Sequence, residues 1–301
     1  MKTLLNAWAW MSDRPRQRTG VRVLQIAIGL MLLFRIFTEA PFAGFLWGPR
    51  GLGYGSERLG ADSAMGVILD AVFAPELGVY AVLFALGAGA LGLVAGYRTR
   101  WATVLALAAF TLLGARLAEL GDGGDNVTQL VLIYMLFLLP AGRQAARGSA
   151  AVWLHNVAVA SIAAQVIILY LTSGFLKATG EVWQNGTAMY LISQVQNFSL
   201  PAWSYMFKNP LITTAASYSA VFMQVWFPVA VFSRAKHAWI CVGVCFHLGI
   251  AAFMGLVTFS TVMIGLELFL VSDPDYARLA ARLAAAREWL ARRFLVKYAR
   301  G

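Results

Sequence analysis

The sequence predicts an all-α protein, a polytopic bundle of about eight transmembrane helices with both termini in the cytoplasm. Of its 301 residues, 60% are hydrophobic and only 13% are charged, whereas a soluble domain is about half apolar and about a quarter charged. The apolar residues fall in long runs, and a helix needs roughly 20 of them to cross a bilayer core. The charges of the loops between these runs alternate in sign along the chain.

The runs and their breakers give eight predicted spans. They are residues 21–38, ended by Pro41; 77–95; 101–117; 127–139, ended by Pro140; 152–176; 211–232; 238–254; and 257–271. No small-residue cleavage site follows the first run, so we interpret it as a retained helix rather than a signal peptide. The fourth and eighth spans are short. Gly255 is a predicted hinge between the last two, where a re-entrant pair is the alternative to two crossings.

Loop charge predicts the orientation of the spans. Basic residues cluster before the first span and then in alternate loops, at Arg98, Arg100, Arg143, Arg147, Arg234 and Lys236. The intervening loops carry acids, namely Glu57, Asp62, Asp70, Glu76, Glu119, Asp122 and Asp125. Basic residues in short loops stay in the cytoplasm, so we expect both termini inside and a multi-pass protein of the cell (inner) membrane. Topology and anionic membrane lipids explain the formal net charge of +10, and no nucleic-acid partner is predicted.

Residues 272–301 have a different pattern from the apolar runs before them. Asp273 and Pro274 are typical of a helix start, and apolar residues then recur every three or four positions between arginines. This predicts a basic amphipathic helix on the cytoplasmic leaflet, with a partner-binding helix as the alternative. The chain thus divides into a transmembrane domain, residues 1–271, and a surface helix, residues 272–301.

Ionisable residues gather at the predicted outer ends of several spans. Arg35 and Glu39 lie four apart on the first span, Arg116 and Glu119 lie three apart on the third, and Lys177 ends the fifth. Each pair shares a helix face, and charge compensation alone explains any single pair. Because charge inside a bilayer is costly, their gathering at one side predicts a polar cavity that opens to the outer face.

Lys177 is the strongest candidate for a catalytic residue. A desolvated lysine amine loses pKa and can act as a base, although spacing alone favours a lysine that snorkels from a helix end. His247 lies near the middle of the seventh span, where a hydrogen bond inside the bundle is expected. Binding a quinone oxygen or relaying a proton are the alternatives for His247. Glu267, in the eighth span, needs a partner that the sequence does not name.

Trp183 belongs to an aromatic-rich outer segment, residues 178–210, in which a short helix is predicted at 187–195. Such aromatics are typical of the interfacial belt, and a roof over a lipid-like substrate is the alternative. Cys241 and Cys245, four apart, are interpreted as packing residues rather than metal ligands. The sequence contains no GxSxG, HExxH, P-loop or CxxC motif, which argues against a hydrolase, a zinc enzyme and an ATP-driven pump.

Three stretches resemble the HTTM family, the membrane domain shared with vitamin K-dependent gamma-carboxylase. The first runs from the Gly-Asp-Gly-Gly-Asp turn at residues 121–125 to Pro140. The second is Tyr170-Leu-Thr-Ser-Gly-Phe-Leu-Lys177, followed by Trp183 and Gly186. The third starts with Phe-His247-Leu-Gly and reaches residue 259. With the helix layout, the resemblance covers residues 18–271.

The resemblance implies a vitamin K- or quinol-dependent, carboxylase-like lyase. In the carboxylase, the lysine at the position of Lys177 is the base that acts on reduced vitamin K. Oxygen converts the quinol to an epoxide through a strong base, which removes a proton from glutamate before carbon dioxide adds. Lys177 and His247 are therefore the expected catalytic residues, and reduced vitamin K or menaquinol is the expected cosubstrate. The expected substrate-binding residues at the outer face are Arg35, Glu39, Arg116 and Trp183.

The chain departs from the carboxylase outside the membrane domain. The carboxylase grips its peptide with a large lumenal region, whereas the longest outer segments here are about thirty residues, too short to bury a domain core. The alternative function is a non-catalytic membrane partner in the maturation of, or immunity to, a secreted peptide. The SdpB-like proteins look to act in this way, although the N-terminal part here does not closely match them. A small-molecule transporter is the third alternative.

Overall fold

The computed structural model describes residues 8–52, 63–140, 145–195 and 199–298, with side chains described up to residue 289. Within these ranges the chain forms helices and turns and no β-strand, so the predicted all-α class is confirmed. The loop residues Glu57, Asp62 and Arg143 lie outside the described residues.

Every predicted span overlaps a helix, although the helix of the fourth span ends at Met135, four residues before the predicted end. In chain order we number α1 Arg18–Glu39, α2 Ala64–Phe73, α3 Glu76–Ala95, α4 Thr99–Arg116, α5 Gly123–Met135, α6 Ala150–Thr179, α7 Pro210–Ala230, α8 Lys236–Met254, α9 Val257–Phe269 and α10 Asp273–Tyr298. The short helix expected at 187–195 is Ala188–Ser193. Gly255 has a φ of 72° between α8 and α9, and this left-handed conformation, which glycine adopts without strain, confirms the predicted hinge.

The segment between the first two spans is more helical than predicted. The first helix ends at Glu39, two residues before Pro41, but the chain stays helical beyond it, because Pro41 lies in a 3-10 turn, Ala40–Phe42, that continues into the helix Ala43–Trp47. Proline is tolerated at that place because it removes no hydrogen bond in the first turn of a helical segment. Helix α2 was not predicted. The side chain of Ser63 caps it by accepting a 3.0 Å hydrogen bond from Gly66 N, and Asp70 lies on it rather than in a loop.

Four helical segments of the described chain are long and apolar enough to cross a membrane: Arg18–Trp47, Glu76–Ala95, Ala150–Thr179 and Lys236–Met254. A fifth is added if α9 and α10, which meet at 97°, form one broken span. Helices α5 and α9 have 13 residues each. At 1.5 Å per residue each is about 20 Å long, less than the roughly 30 Å of a bilayer core.

Helix α9 lies at the centre of the bundle, in contact with α1, α5, α6 and α8. Around it, α1 packs on α3, α3 on α4, and α6 on α7. Small residues bring these helices close together, an arrangement that is also common between the helices of membrane bundles. A Cβ at Gly265 of α9 would lie 2.6 Å from the Cβ of Ala27 in α1, and one at Gly89 of α3 would lie 2.7 Å from Ala106 N in α4.

Hydrogen bonds fix the first turn of α10 to the start of α1. The carboxylate of Asp273 accepts bonds from Arg18 N at 3.0 Å and Thr19 N at 2.8 Å, two amides that α1 itself cannot satisfy. The hydroxyl of Tyr276 donates to Leu268 O at 2.8 Å. Beyond this turn the helix leaves the bundle, and the side chains of residues 279–289 are exposed.

Candidate functional site

The bundle has two distinct ends. At the end that we call the Lys177 end, α1, α4 and α6 finish, α5 begins, and the chain turns from α8 to α9. Thr258, at the start of α9, donates a 3.3 Å hydrogen bond to Asp122, at the start of α5. At the opposite end, His155 of α6 accepts at Nδ1 from Leu139 N at 3.0 Å. The charged residues singled out in the sequence belong mainly to the Lys177 end.

Lys177 lies half-buried against α7. Its Nζ donates a 2.7 Å hydrogen bond to Ser173 Oγ, one turn earlier on α6. Ser173 Oγ in turn donates to the side-chain oxygen of the buried Gln224, on α7, at 3.1 Å. The backbones of α6 and α7 come this close because Gly174 leaves room, since a Cβ there would lie 2.9 Å from Val225 N. Within the described chain no carboxylate pairs with Lys177.

Trp183 covers the amine of Lys177. The ring centroid lies 5.3 Å from Lys177 Nζ, a distance at which the ring face attracts a cation. The chain turns at Gly180 into the short helix Glu181–Gln184, which carries Trp183. The side chain of Gln184 donates back to Ala178 O at 2.9 Å, and Gln184 O accepts from the hydroxyl of Tyr218 on α7 at 2.7 Å. These bonds hold the aromatic ring over the end of α6.

Arg35 forms the second charged group at the Lys177 end. Its Nε lies 2.9 Å from the Glu39 carboxylate, and its Nη1 pairs with Asp125 of α5. Asp125 also accepts from Asp122 N at 2.9 Å in a capping box at the start of α5. One guanidinium is thus shared between two carboxylates on two helices. Beside it lies a cavity of about 330 Å³ whose lining includes Arg35, Phe110, Thr111, Asp122, Asn126 and Gln129.

Arg116 is buried elsewhere, among residues that follow α1 and residues of α2. Its Nη2 donates a 3.4 Å bond to Gly48 O, and its guanidinium lies 5.5 Å from the centroid of the Phe73 ring. The Nε atom has no hydrogen-bond partner among the described residues. These contacts join three segments of the chain, and none of them is with Lys177 or Arg35.

His247 takes part in a buried cluster with two residues from other helices. The Tyr170 hydroxyl of α6 lies 2.8 Å from His247 Nε2 of α8, and it also hydrogen-bonds Glu267 of α9. His247 Nε2 lies 3.6 Å from Glu267 Oε1. The expected hydrogen bond of His247 inside the bundle is confirmed, and Glu267 has the partners that the sequence did not name.

The predicted site residues therefore form separate groups. The structure brings Lys177 together with Trp183, and Arg35 together with Glu39, but no described hydrogen bond or ion pair joins these two groups. Sequence reasoning did not single out Tyr170, Ser173 or Gln224 as site residues. A signal for two of them was present, because Tyr170 and Ser173 precede Lys177 by seven and four residues, the spacing of one helix face.

Comparison with known proteins gives one partial likeness. A stretch of 118 residues, 37% of this chain, is 26% identical to the uncharacterized protein YitO of Bacillus subtilis (strain 168), and it covers 38% of that protein. The chain thus matches well under half of the relative's length. No family model matches the chain, and no solved structure matches it. These comparisons assign neither a family nor an activity.

Proposed function

We propose that this chain is an HTTM-type membrane enzyme that acts on a quinol or another lipid-like substrate with Lys177 as its base. The observation that carries the proposal is the setting of Lys177. Its amine is half-buried at a helix end, bonded to a hydroxyl and covered by an aromatic ring. A snorkelling lysine extends its amine to water, whereas this amine bonds back to Ser173, one turn earlier in its own helix.

Reduced vitamin K or menaquinol suits the groups around Lys177. A quinol has hydroxyl groups on an aromatic ring. The Ser173 hydroxyl and the Gln224 amide offer donors and acceptors to such hydroxyls, and Trp183 offers a ring face for stacking. When bound, the quinol supplies the reducing chemistry with oxygen. The chain's part is to orient the ring and to take a proton at Lys177 Nζ.

The loop charges indicate which end of the bundle faces the cytoplasm and which faces outward. We place eight spans in the cell (inner) membrane with both termini in the cytoplasm, so that the Lys177 end faces outward. Helix α10 then leaves α9 at 97° and runs along the cytoplasmic leaflet. Its exposed Leu279 and Leu283 would enter the lipid, and its arginines would contact anionic headgroups. Labelling of single cysteines placed in each loop, in a variant without Cys241 and Cys245, tests this arrangement.

Quinol turnover tests the activity. Purified protein is mixed with reduced vitamin K or menaquinol and oxygen, with and without bicarbonate and glutamate peptides, and mass spectrometry measures the epoxide. We expect epoxide from the wild type and none from Lys177→Ala. The matched control is Lys208→Ala, which removes an exposed lysine from the segment before α7 and should leave turnover unchanged.

The outcome separates the two functions. If Lys177→Ala is folded and inactive while Lys208→Ala is active, Lys177 is the base. If folded wild-type protein forms no epoxide from any of several quinols, the enzymatic proposal fails. The alternative is then a non-catalytic partner of a secreted peptide. That alternative predicts stable copurification with a small peptide and a phenotype that survives Lys177→Arg.

A further inference from the structure

The cluster of Tyr170, His247 and Glu267 lies deep inside the bundle. The exposed fractions of the three residues are 0%, 1% and 0%, and each residue comes from a different helix. Aromatic rings enclose the cluster. Phe227 stacks on Tyr170 with ring centroids 3.9 Å apart, while the rings of Phe246 and Phe259 meet the imidazole edge-on at 5.2 and 5.6 Å. Water is therefore kept from its polar atoms.

The cluster must balance its own charge. Within the described chain, the ion pair of Glu267 is with His247, and no lysine or arginine forms an ion pair with Glu267. Gly243 of α8 faces the carboxyl so closely that a Cβ there would overlap it, so the carboxyl is packed against a helix backbone. Two polar atoms, His247 Nδ1 and Glu267 Oε2, have no hydrogen-bond partner among the described residues. A net charge at this place would be costly.

Hydrogen-bond chemistry limits where the protons are. The Tyr170 hydroxyl has one proton, so it can donate to only one of its two partners at a time. If Glu267 is protonated, its O–H donates to Tyr170 and Tyr170 donates to His247 Nε2. If His247 is the imidazolium, its Nε2–H donates to Tyr170 and Tyr170 donates to the ionised Glu267. Both arrangements hold three exchangeable protons and are neutral overall. They interconvert when one proton moves along each hydrogen bond.

A third arrangement has one proton fewer. Glu267 is then ionised, His247 is neutral, and the cluster has a net charge of minus one without a cation in contact. Since an uncompensated buried charge is strongly disfavoured, the neutral arrangements are the resting ones. We propose that Tyr170, His247 and Glu267 form a buried proton store, in which the Tyr170 hydroxyl passes the third proton between the carboxyl and the imidazole.

The store lies on the same helix face as Lys177. Tyr170, Ser173 and Lys177 follow one another at intervals of three and four on α6, so the store and the amine are about 10 Å apart along the helix axis. Ser173, between them, already accepts a hydrogen bond from Lys177. The hydroxyl of Ser173 donates to Gln224 rather than toward Tyr170, so the hydrogen bonds of Lys177 and those of the store are separate, and the existence of the store does not rest on the proposed function.

Spectroscopy of the resting protein tests the store directly. Full-length protein in lipid nanodiscs is labelled with ¹³C at the glutamate side-chain carboxyls and with ¹⁵N in the histidines. At neutral pH we expect either the infrared C=O band of a protonated carboxyl or the ¹⁵N signals of an imidazolium, and Glu267→Gln should remove that signal. Glu76→Gln makes the same change at an exposed glutamate and should remove neither.

The wild-type spectra by themselves can contradict the proposal, so the test does not depend on whether a variant folds. If Glu267→Gln fails to fold, Tyr170→Phe serves instead, since loss of the hydroxyl must shift the same signal. An ionised carboxylate with a neutral imidazole in the wild type, or a signal unchanged in the folded variants, would overturn the proposal.

Discussion

Replacing Tyr170 by phenylalanine tests the internal architecture of the bundle most directly. The change removes one oxygen atom and keeps the ring that stacks on Phe227 at 3.9 Å. Both His247 Nε2 and Glu267 lose their hydrogen bond to the hydroxyl. Neither can turn to water, because both residues are buried. The variant therefore isolates the polar contacts of the cluster from its packing.

The expected loss of stability follows from two hydrogen bonds. Side-chain hydrogen bonds between helices in a membrane protein contribute about 0.6 kcal/mol on average and about 1.7 kcal/mol at most. Loss of two such hydrogen bonds should therefore lower the free energy of unfolding by about 1 to 3 kcal/mol. The matched control is Tyr218→Phe. It removes a hydroxyl that donates to Gln184 O at the surface of the bundle, from a residue that is 48% exposed. Surface changes of this kind usually lie within about 0.5 kcal/mol.

Unfolding in mixed micelles measures both variants. Purified protein is titrated with increasing mole fractions of a denaturing detergent, and the loss of helix is followed by circular dichroism. Tyr170→Phe should unfold at a clearly lower fraction than the wild type, and Tyr218→Phe should follow the wild type. Equal midpoints for the two variants would refute the reasoning, because the Tyr170 hydroxyl would then contribute no more than a hydroxyl at the surface.

Three further predictions concern other contacts. Gly243→Ala should destabilise the protein by about 1 to 3 kcal/mol through overpacking against Glu267. The control is Gly249→Ala, whose Cβ would meet only the Phe253 ring, at 3.9 Å. In the same detergent titration, this control should leave the free energy of unfolding close to that of the wild type. Arg35→Met and Asp125→Asn should be less destabilising together than the sum of the single changes, by about 0.5 to 3 kcal/mol in a double-mutant cycle; strict additivity would contradict the ion pair between α1 and α5. The pKa of Asp275 is lowered, first because Ser272 donates a hydrogen bond to its carboxylate and also because His237 and Arg278 lie beside it. The stabilisation of the first turn of α10 is therefore present above the ordinary carboxyl pKa of about 3.9 and is lost as the pH falls through the lower folded pKa. Hydrogen exchange of the backbone amides of residues 273–289 should therefore become faster below about pH 4. The same increase should be smaller in the variant Asp275→Asn, which has no carboxyl group to titrate at this position.

The amino-acid sequence by itself determined the helical class and the position of nearly every long helix. The cause is local, because apolar runs and breakers such as Gly255 act on their own segment of chain. The unpredicted helix α2 shows the limit of this reasoning. It is a run of ten residues with an aspartate inside it, and its polar flanks and the acids around it made the whole segment resemble a loop.

The tertiary structure alone decided which polar residues meet. The sequence placed Lys177 and Trp183 near one helix end, and the spacing of Tyr170 and Ser173 on the same helix face was visible in it. It gave no sign that Gln224 of α7 faces Ser173, or that Tyr170, His247 and Glu267 meet across three helices separated by up to 97 positions. The physical reason is rotation about the helix axis. The long apolar helices of the bundle are largely apolar on every side, so their sequences do not specify which face turns inward. Only close packing of neighbouring helices, through contacts such as those at Gly174 and Gly243, sets that rotation and brings these side chains together.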